Sequence, residues 1–359
     1  MSRTSFKQKL FGFLGFLVDQ DGSDLHLSSG NYPLIRVDNK LVKIKDEKVV
    51  SHSDLESAAK EILNEDQFEK LQKKRQVDFS LETEGGYRFR GNLFFSRGTL
   101  SLVFRAISKE IKDLASLNLP ENLYDFVKEP KGLFLVVGPN GHGKSTTLAA
   151  LVEHVNENFS KHIVTIEDPI EYVYNNKKSL IEQRELHDDT MTFEGALESC
   201  FREDVDIILV GELRNIETMS MAMTAAETGH IVLATLHTND SAQTVDRIID
   251  VFPPHQQNQI RQQLANILIG VVSQRLVNKV GGGRIPAIEV LKNNTAVSNL
   301  IRQDQTHQIK SFLETSREEG MFTFEYYLSE LIKKGLVEWE EAEKFVSDPE
   351  ILKNLLDED

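Results

Sequence analysis

Cysteine is almost absent from this sequence. Cys200 is the single cysteine among 359 residues. One thiol excludes an internal disulfide framework and a zinc site built from several cysteines. We predict that Cys200 is a small apolar residue packed in the core.

Positive charge is also in short supply. Lysine and arginine number 41 against 56 acidic residues, so the formal net charge is −15 and the pI is about 5.2. Nucleic-acid proteins and polybasic membrane anchors need clustered positive charge. The composition therefore disfavours a helicase or nucleic-acid translocase, and we expect no nucleic-acid partner.

Apolar runs of transmembrane length are missing. The run Leu10 to Val18 follows Lys7 and Lys9 in the manner of a signal peptide. It is shorter than the roughly 20 residues that span a bilayer, and no small-residue cleavage site follows it. We interpret the run as the buried face of a first helix, and we expect membrane association only through partner proteins.

The residue pattern changes once along the chain. Up to about residue 110, short alternating strands, turns at Gly30-Asn31 and Asp38-Asn39, and a capping box at Ser53 to Glu56 predict an α+β domain. From Gly132, apolar strands alternate with helices, which is typical of a mostly parallel sheet. We place an N-terminal domain at 1–112, a linker at 113–131, a core domain built on that sheet at 132–292 and a C-terminal helical region at 293–359.

The segment Gly138 to Thr147, GPNGHGKSTT, carries the spacing of a phosphate-binding P-loop. An apolar strand precedes it and a helical pattern follows it, which is the context that the motif requires. Glycines allow backbone N–H groups to surround an anion, and the positive end of the helix adds to the attraction. Lys144 can reach the β- and γ-phosphates, and the Ser145 hydroxyl can contact Mg²⁺. The sequence therefore predicts ATP or GTP binding.

Four predicted strands end in residues of catalytic type. Ligands of open α/β sheets lie at the carboxyl ends of the strands. The strand ends are Val137 before the P-loop, Ile166 before EDPIE, Gly211 before ELR, and Leu236 before HT. We expect these ends to meet at one edge of the sheet.

Nucleotide hydrolysis needs an oriented water and neutralised phosphate charge. Glu171 and Glu212 are the acidic candidates for water and metal. Asp168 can brace the site, and His237 can sense the γ-phosphate or link neighbouring sites.

Together these blocks resemble the type II/IV secretion ATPase superfamily, and most closely the type IV pilus retraction ATPases of the PilT and PilU group. Gly138 to Thr147 is similar to the family's Walker A motif, Thr165 to Tyr172 to its Asp box, Asp206 to Thr218 to its Walker B motif, and Thr228 to Ser241 to its His box. The likeness extends into the N-terminal domain and the C-terminal helices, so it covers nearly the whole chain.

The resemblance implies an α/β protein with an N-terminal PAS-like α+β domain, a RecA-like P-loop ATPase core and C-terminal helices. It implies ATP and Mg²⁺ as cofactors, a homohexameric ring, and a cytoplasmic position at the inner membrane. The implied partners are an inner-membrane pilus platform protein and paralogous pilus ATPases.

The resemblance also assigns roles to individual residues. The nucleotide-binding set is Gly138, Asn140, Gly141, His142, Gly143, Lys144, Ser145, Thr146, Glu167 and Asp168. The catalytic set is Glu171 as the base, Glu212, the His-box residues His230 and His237, and the N-terminal arginines Arg90 and Arg105. Ser145 and Glu212 are the expected contacts of ATP-bound Mg²⁺.

Two departures from the family pattern keep other functions open. Assembly ATPases of the superfamily commonly carry a four-cysteine metal site, which this chain cannot form. The retraction group has the motif AIRNLIRE, where this chain has AVSNLIRQ with Ser298 and Gln303 in place of a cation and an anion. The first favours a retraction motor over a pilus-extension or type II secretion ATPase. The second keeps open an accessory ATP-binding paralogue of the motor.

Overall fold

The computed structural model describes residues 6–37, 40–107 and 110–357. The turn predicted at Asp38-Asn39 lies outside the described residues. The described chain divides into two compact units. The N-terminal unit holds the described residues up to 107 together with Glu171–Val173, and the C-terminal unit holds the other residues from 110 onward.

The N-terminal unit is built on a six-stranded antiparallel sheet in the order β3-β2-β1-β6-β5-β4. Its strands are β1 (Asp24–Ser28), β2 (Leu34–Val37), β3 (Lys40–Lys43), β4 (Gln76–Glu82), β5 (Arg88–Ser96) and β6 (Thr99–Ala106). Its helices are α1 (Phe6–Asp19), α2 (His52–Ile62) and α3 (Glu65–Lys74). The predicted α+β character and the turn at Gly30, where φ is +81°, are confirmed.

The apolar run near the N-terminus forms one side of the core of this unit. Leu10, Phe13, Leu14 and Leu17 of α1 are buried, at the i, i+3, i+4, i+7 spacing of an amphipathic helix. They belong to the same cluster as the inward residues of the strands, such as Phe104. The interpretation of this run as the buried face of a first helix is confirmed.

The capping box of α2 begins two residues earlier than predicted. Ser51, and not Ser53, is the N-cap: its hydroxyl accepts the N–H of Asp54, and the Asp54 carboxylate accepts the N–H of Ser51. Aspartate takes the third helical position that glutamate usually takes in this motif. His52 is then the first helical residue, and its Nδ1 accepts the N–H of Leu100.

The C-terminal unit is built on a seven-stranded sheet in the order β13-β12-β7-β11-β10-β8-β9. Its strands are β7 (Gly132–Val137), β8 (His162–Glu167), β9 (Leu180–Glu185), β10 (Ile207–Val210), β11 (Ile231–Leu236), β12 (Leu268–Asn278) and β13 (Arg284–Lys292). Its helices are α4 (Lys144–Asn158), α5 (Phe193–Cys200), α6 (Ile216–Thr228), α7 (Ser241–Asp250), α8 (Pro254–Ile267), α9 (Thr295–Arg302), α10 (Ile309–Thr315), α11 (Phe324–Lys333), α12 (Trp339–Ala342) and α13 (Pro349–Asp357).

The four strands that were predicted to end in residues of catalytic type lie side by side. β7 pairs with β11, β11 with β10, and β10 with β8, all in parallel. Every residue of β7, β10 and β11 is buried, as expected for strands covered by helices on both faces. The mostly parallel sheet is therefore confirmed, and the carboxyl ends of all four strands fall on one edge.

The chain after β13 is helical, as the sequence predicts. Thr323 caps α11 by accepting the N–H of Tyr326. The segment after Pro120 forms a 3₁₀-helix, Glu121–Val127. Cys200 is fully buried at the end of α5, and this burial raises the pKa of its thiol to about 12. Within the described residues, no helix combines the length and apolar character needed to cross a membrane.

Candidate nucleotide site

The P-loop joins β7 to α4 through three glycines in left-handed or related backbone conformations. Gly138, Gly141 and Gly143 have φ values of +141°, +75° and +83°. Residues with a Cβ avoid these conformations. Gly143 is the N-cap of α4, so the positive end of the helix points at the loop and attracts an anion. This cradle fits a phosphate group.

Lys144, the first residue of α4, lies inside the loop. Its side chain is 7% exposed, and its Nζ donates to the carbonyl oxygens of Gly138 at 2.7 Å and Pro139 at 3.0 Å. Nζ also lies 3.2 Å from Nδ1 of His237, at the end of β11. The cation is thus held at the point where the loop and the neighbouring strand end meet.

His237 connects Lys144 to the acidic end of β10. Its Nε2 is 2.8 Å from Oε1 of Glu212. An ammonium group can only donate, so Nδ1 accepts from Lys144 and the ring proton lies on Nε2, directed at the carboxylate. The other Glu212 oxygen accepts from Nε of Arg214 at 2.7 Å. The partners of His237 therefore set both its tautomer and its orientation.

Arg214 extends this chain of polar contacts to β8. Its Nη1 lies 3.5 Å from Oδ2 of Asp168, the residue just after the strand. The structure therefore brings together Lys144, His237, Glu212 and Asp168, which come from four strand ends. The sequence predicted no role for Arg214, which appeared only as the last residue of the segment ELR after Gly211.

The remaining residues of the predicted nucleotide-binding set lie at the same edge. Asn140 and Gly141 are exposed at the tip of the loop, and Ser145 and Thr146 are half-buried in the first turn of α4. The Glu167 carboxylate accepts from the Thr165 hydroxyl at 2.7 Å. A second donor to the same oxygen, the side-chain amide of Gln183, lies 3.3 Å away.

Mg²⁺ is usually held by one or two protein oxygens together with phosphate oxygens and water. Ser145 in the first turn of α4 and Glu212 at the end of β10 fit that limited donor set. Across the described ranges, no group of three or more histidine, cysteine, aspartate or glutamate side chains is arranged to hold a metal by itself.

His230 lies at the other end of β11 from His237. It precedes Ile231, where the strand begins, and its Nδ1 is 3.1 Å from the carbonyl oxygen of Ala225 in α6. Its ring packs edge-on against Phe201. A six-residue strand spans about 20 Å, so the structure does not bring His230 to the P-loop edge of its own chain.

Arg90 and Arg105 lie in the N-terminal unit, on neighbouring strands. They are direct cross-strand partners on β5 and β6, and both are exposed. Arg105 donates from Nε to Asp24 on β1 at 3.0 Å, and Arg36 of β2 lies 3.8 Å from the same carboxylate. Like charges placed opposite each other destabilise a sheet. The Asp24 carboxylate offsets part of the charge of this pair, and the role of Arg90 and Arg105 at a nucleotide stays a prediction.

Glu171 occupies the loop that follows β8. It lies four residues beyond Glu167, its side chain is exposed, and with Tyr172 and Val173 it belongs to the N-terminal unit. Its role as the base stays a prediction.

The strand that supports the P-loop from below was not predicted to contribute to the site. β12 lies next to β7, and its Gln274 is 2% exposed. The Gln274 side chain accepts from the Thr147 hydroxyl at 2.7 Å and donates to the His142 carbonyl at 2.8 Å. The sequence does carry an indication that β12 contributes to the site. Its otherwise apolar run LIGVVSQRLV is interrupted by the polar residues Ser273, Gln274 and Arg275.

The glycine cradle, the buried lysine and the acidic strand ends define a P-loop nucleotide-binding protein. The family model described as Type II/IV secretion system protein matches residues 16–284. The chain is 43% identical to the type IV pilus retraction ATPase PilT of Pseudomonas aeruginosa, covering 94% of this chain and 98% of that protein. It is 42% identical to a twitching motility protein of Neisseria gonorrhoeae, covering 90% and 88%.

A solved structure agrees with these relatives. The crystal structure of the pilus retraction motor PilT with bound ADP superposes with a TM-score of 0.89 at 41% identity, covering 95% of this chain and 98% of that one. The chain belongs to the Type II/IV secretion system protein family. The expected fold class, a PAS-like α+β domain followed by a RecA-like ATPase core, is confirmed.

Proposed function

We propose that this protein is a hexameric ATP-hydrolysing motor that powers type IV pilus retraction. The observation that carries the proposal is the chain of contacts from Lys144 through His237 to Glu212 at the P-loop edge. The 43% identity to a type IV pilus retraction ATPase, over 94% of this chain, supports pilus retraction as the process that the motor serves. The absence of a four-cysteine site supports retraction over extension or type II secretion.

In this proposal, several groups divide the work of hydrolysis. The P-loop amides and Lys144 bind the phosphates, and Lys144 exchanges the carbonyls of Gly138 and Pro139 for phosphate oxygens. Glu212 and Ser145 hold Mg²⁺, which when bound neutralises phosphate charge. Glu171 orients and deprotonates the attacking water. His237 lies between Lys144 and Glu212. It couples the presence or absence of the γ-phosphate at Lys144 to the position of the Glu212 carboxylate.

The motor is proposed to act as a homohexameric ring in the cytoplasm, at the inner membrane through a pilus platform protein. Arg90 and Arg105 of the N-terminal domain supply further positive charge to ATP. Closure and reopening of the domains during each hydrolytic cycle would deliver force. We propose that the N-terminal domain spans 1–112, the linker 113–131, the ATPase core 132–292 and the C-terminal helical region 293–359. We further propose that His230 acts at a site apart from the P-loop.

ATP turnover by the purified protein tests the site. We expect Lys144→Ala and Glu212→Gln each to reduce turnover by about 100-fold or more, the cost of removing a group that stabilises developing charge. Glu182→Gln is the matched control, because this exposed glutamate contacts His162 at the opposite edge of the same sheet. Turnover by both site variants at the parent rate would show that the site is misassigned.

Deletion of the gene tests the direction of force. Loss of a retraction motor should leave cells with many surface pili and no twitching. Bald cells would instead identify an extension motor. Imaging of surface pili and a twitching assay on the same strain separate the two results.

One observation bears on the alternative of an accessory paralogue. Ser298 of the AVSNLIRQ motif is 9% exposed, and its hydroxyl donates to the carbonyl of Ala265 at 2.9 Å. Arg302 of the same helix donates to Asn266 at 2.6 Å. The motif therefore joins α9 to α8 without a charged residue at position 298. Turnover by the isolated protein distinguishes an autonomous motor from an accessory subunit, which would bind ATP and hydrolyse little without its paralogue.

A further inference from the structure

The P-loop of this chain carries a histidine whose ring is hydrogen-bonded to the protein backbone. Nδ1 of His142 accepts the N–H of Leu276 at 2.9 Å. Leu276 belongs to β12, and β12 pairs with β7 only between Leu268 and Ser273. Beyond Ser273 the ladder between β12 and β7 ends, because β7 gives way to the P-loop at Gly138. The imidazole takes up the Leu276 amide at this point.

Three further contacts join the same loop to the β12–β13 hairpin. The Gln274 side chain links the carbonyl of His142 to the hydroxyl of Thr147, one turn into α4. A Cβ at Gly138 would lie 2.2 Å from the carbonyl oxygen of Gln274, so the two backbones are in close contact. Nη1 of Arg284, the first residue of β13, lies 3.5 Å from the carbonyl of Gly141.

The chemistry of His142 is that of an acceptor. A protonated imidazole has no lone pair on Nδ1 and could not accept the Leu276 amide. Partial burial lowers the pKa of His142, and the positive charges of Arg284, Lys144 and Arg275 lower it further. The ring is therefore held neutral, with its acceptor directed at β12.

The geometry points to His142 as a positioning residue for nucleotide binding: its Nδ1 fastens the P-loop to β12 and holds the loop amides in the arrangement that receives phosphate. The residue acts through the backbone of the loop and does not require contact between the ring and the nucleotide. This inference rests on the proposed function, because it assumes that the P-loop binds ATP and ADP.

The consequence is specific to one nitrogen of the ring. Asparagine places its amide oxygen where histidine has Nδ1, whereas glutamine places its oxygen closer to the position of Nε2. His142→Asn therefore keeps an acceptor for Leu276, and His142→Gln and His142→Ala remove it. The two amide variants differ by one methylene and form a matched pair.

ADP titration followed by calorimetry, together with steady-state ATP turnover, tests the inference on the full-length protein. We expect His142→Asn to bind ADP within about threefold of the parent. His142→Gln and His142→Ala should bind about tenfold more weakly, the factor expected when one backbone N–H loses its acceptor. The weakening should appear in the KM for ATP more than in kcat, because the loop amides bind phosphate before and during the reaction.

The melting temperature without nucleotide is the control for folding. A variant that only damaged the fold would lower the melting temperature and the active fraction, and it would leave the KM of the remaining active protein unchanged. Equal ADP affinity for the asparagine, glutamine and alanine variants would overturn the positioning role. Failure of the parent protein to bind ADP would instead refute the proposed function.

Discussion

Gly138 is the residue at which the P-loop passes closest to another strand. Its φ of +141° and the nearby carbonyl of Gln274 both exclude a side chain. Gly141, at the tip of the loop, has a φ of +75°, but a Cβ added there would meet no atom of the described residues within 4 Å. The spacing G-x-x-x-x-G-K-S fixes Gly138 and leaves Gly141 at a variable position, but it does not say why Gly138 must lack a side chain.

We therefore expect Gly138→Ala to be much more harmful than Gly141→Ala. Backbone strain costs about 1–2 kcal/mol at the left-handed Gly141 and about 1–3 kcal/mol at Gly138, whose φ only glycine normally adopts. Gly138→Ala adds an overlap with β12 that costs about 1–3 kcal/mol more. Thermal unfolding without nucleotide should show a lower melting temperature for Gly138→Ala. Equal melting temperatures would mean that β12 does not constrain the loop.

The two histidines that flank β11 lie at different sites, although their residue type is the same. His230 and His237 are similar candidates in the sequence, yet they occupy opposite ends of β11. His237 meets Lys144 and Glu212, while His230 packs against Phe201. If His230 takes part in catalysis, it does so at a site other than the P-loop of its own chain.

Helix α7, which follows the His box, is held at its start by a buried carboxyl group. Glu289 of β13 is 5% exposed and accepts from both the N–H and the hydroxyl of Ser241, at 2.8 and 2.7 Å. Ser273 of β12 donates to the carbonyl of Asn239 at 2.6 Å. The β12–β13 hairpin thus contacts both the P-loop and the segment between His237 and α7.

Glu289 should make the stability of the protein depend on pH. Burial raises its pKa to about 7, with smaller contributions from Asp240 and Glu325 and an opposing one from Ser241. The folded state therefore holds this proton more firmly than the unfolded chain, whose carboxyl has a pKa of about 4.3. The stabilisation is complete below the unfolded pKa and is lost as the pH rises through 7.

We expect the melting temperature of Glu289→Gln, relative to the parent, to increase between pH 5 and pH 8. Glutamine stays neutral and can still accept from Ser241, so the cost of ionising the buried group disappears. For a protein of this size the change should amount to a few degrees, at about 2–4 °C per kcal/mol. The exposed Glu340→Gln should show no such trend. A constant difference across the pH range would contradict the buried-proton explanation.

The whole protein consists of two units with separate cores, and each carries part of the predicted site. The P-loop edge belongs to the C-terminal unit, and the facing pair Arg90 and Arg105 belongs to the N-terminal unit. Under the proposed function, turnover depends on both units and on assembly into a ring.

Substitution of the arginines tests this dependence. We expect Arg90→Ala to lower ATP turnover by about 100-fold or more, in line with other arginines that neutralise transition-state charge. Its melting temperature should remain close to that of the parent. Arg105→Ala should lower turnover similarly and also lose its contact with Asp24.

Arg36→Ala is the control for the structural part of this effect, because Arg36 flanks the same Asp24 carboxylate. If Arg36→Ala and Arg105→Ala reduce turnover equally, the loss reflects the sheet and not the nucleotide. Parent-like turnover by Arg90→Ala and Arg105→Ala together would remove the N-terminal arginines from the proposed mechanism.

Local pattern in the sequence was sufficient for the P-loop, the four strands, the first amphipathic helix and the buried cysteine. These features depend on the spacing of neighbouring residues, since glycine conformation, strand burial and helix periodicity are properties of short segments. The position of the α2 cap shows the limit of that precision, because serines two residues apart offer the same chemistry.

Tertiary structure alone decided which strand ends became neighbours and which strand supports the loop. His237 reaches Lys144 across 93 residues of chain, and the Leu276 amide reaches His142 across 134. Such contacts follow from the order of strands in the sheet, which depends on how distant segments pack together. Local periodicity contains no record of that order, and so the contacts of Gln274, His142 and Glu289 were found only in the folded protein.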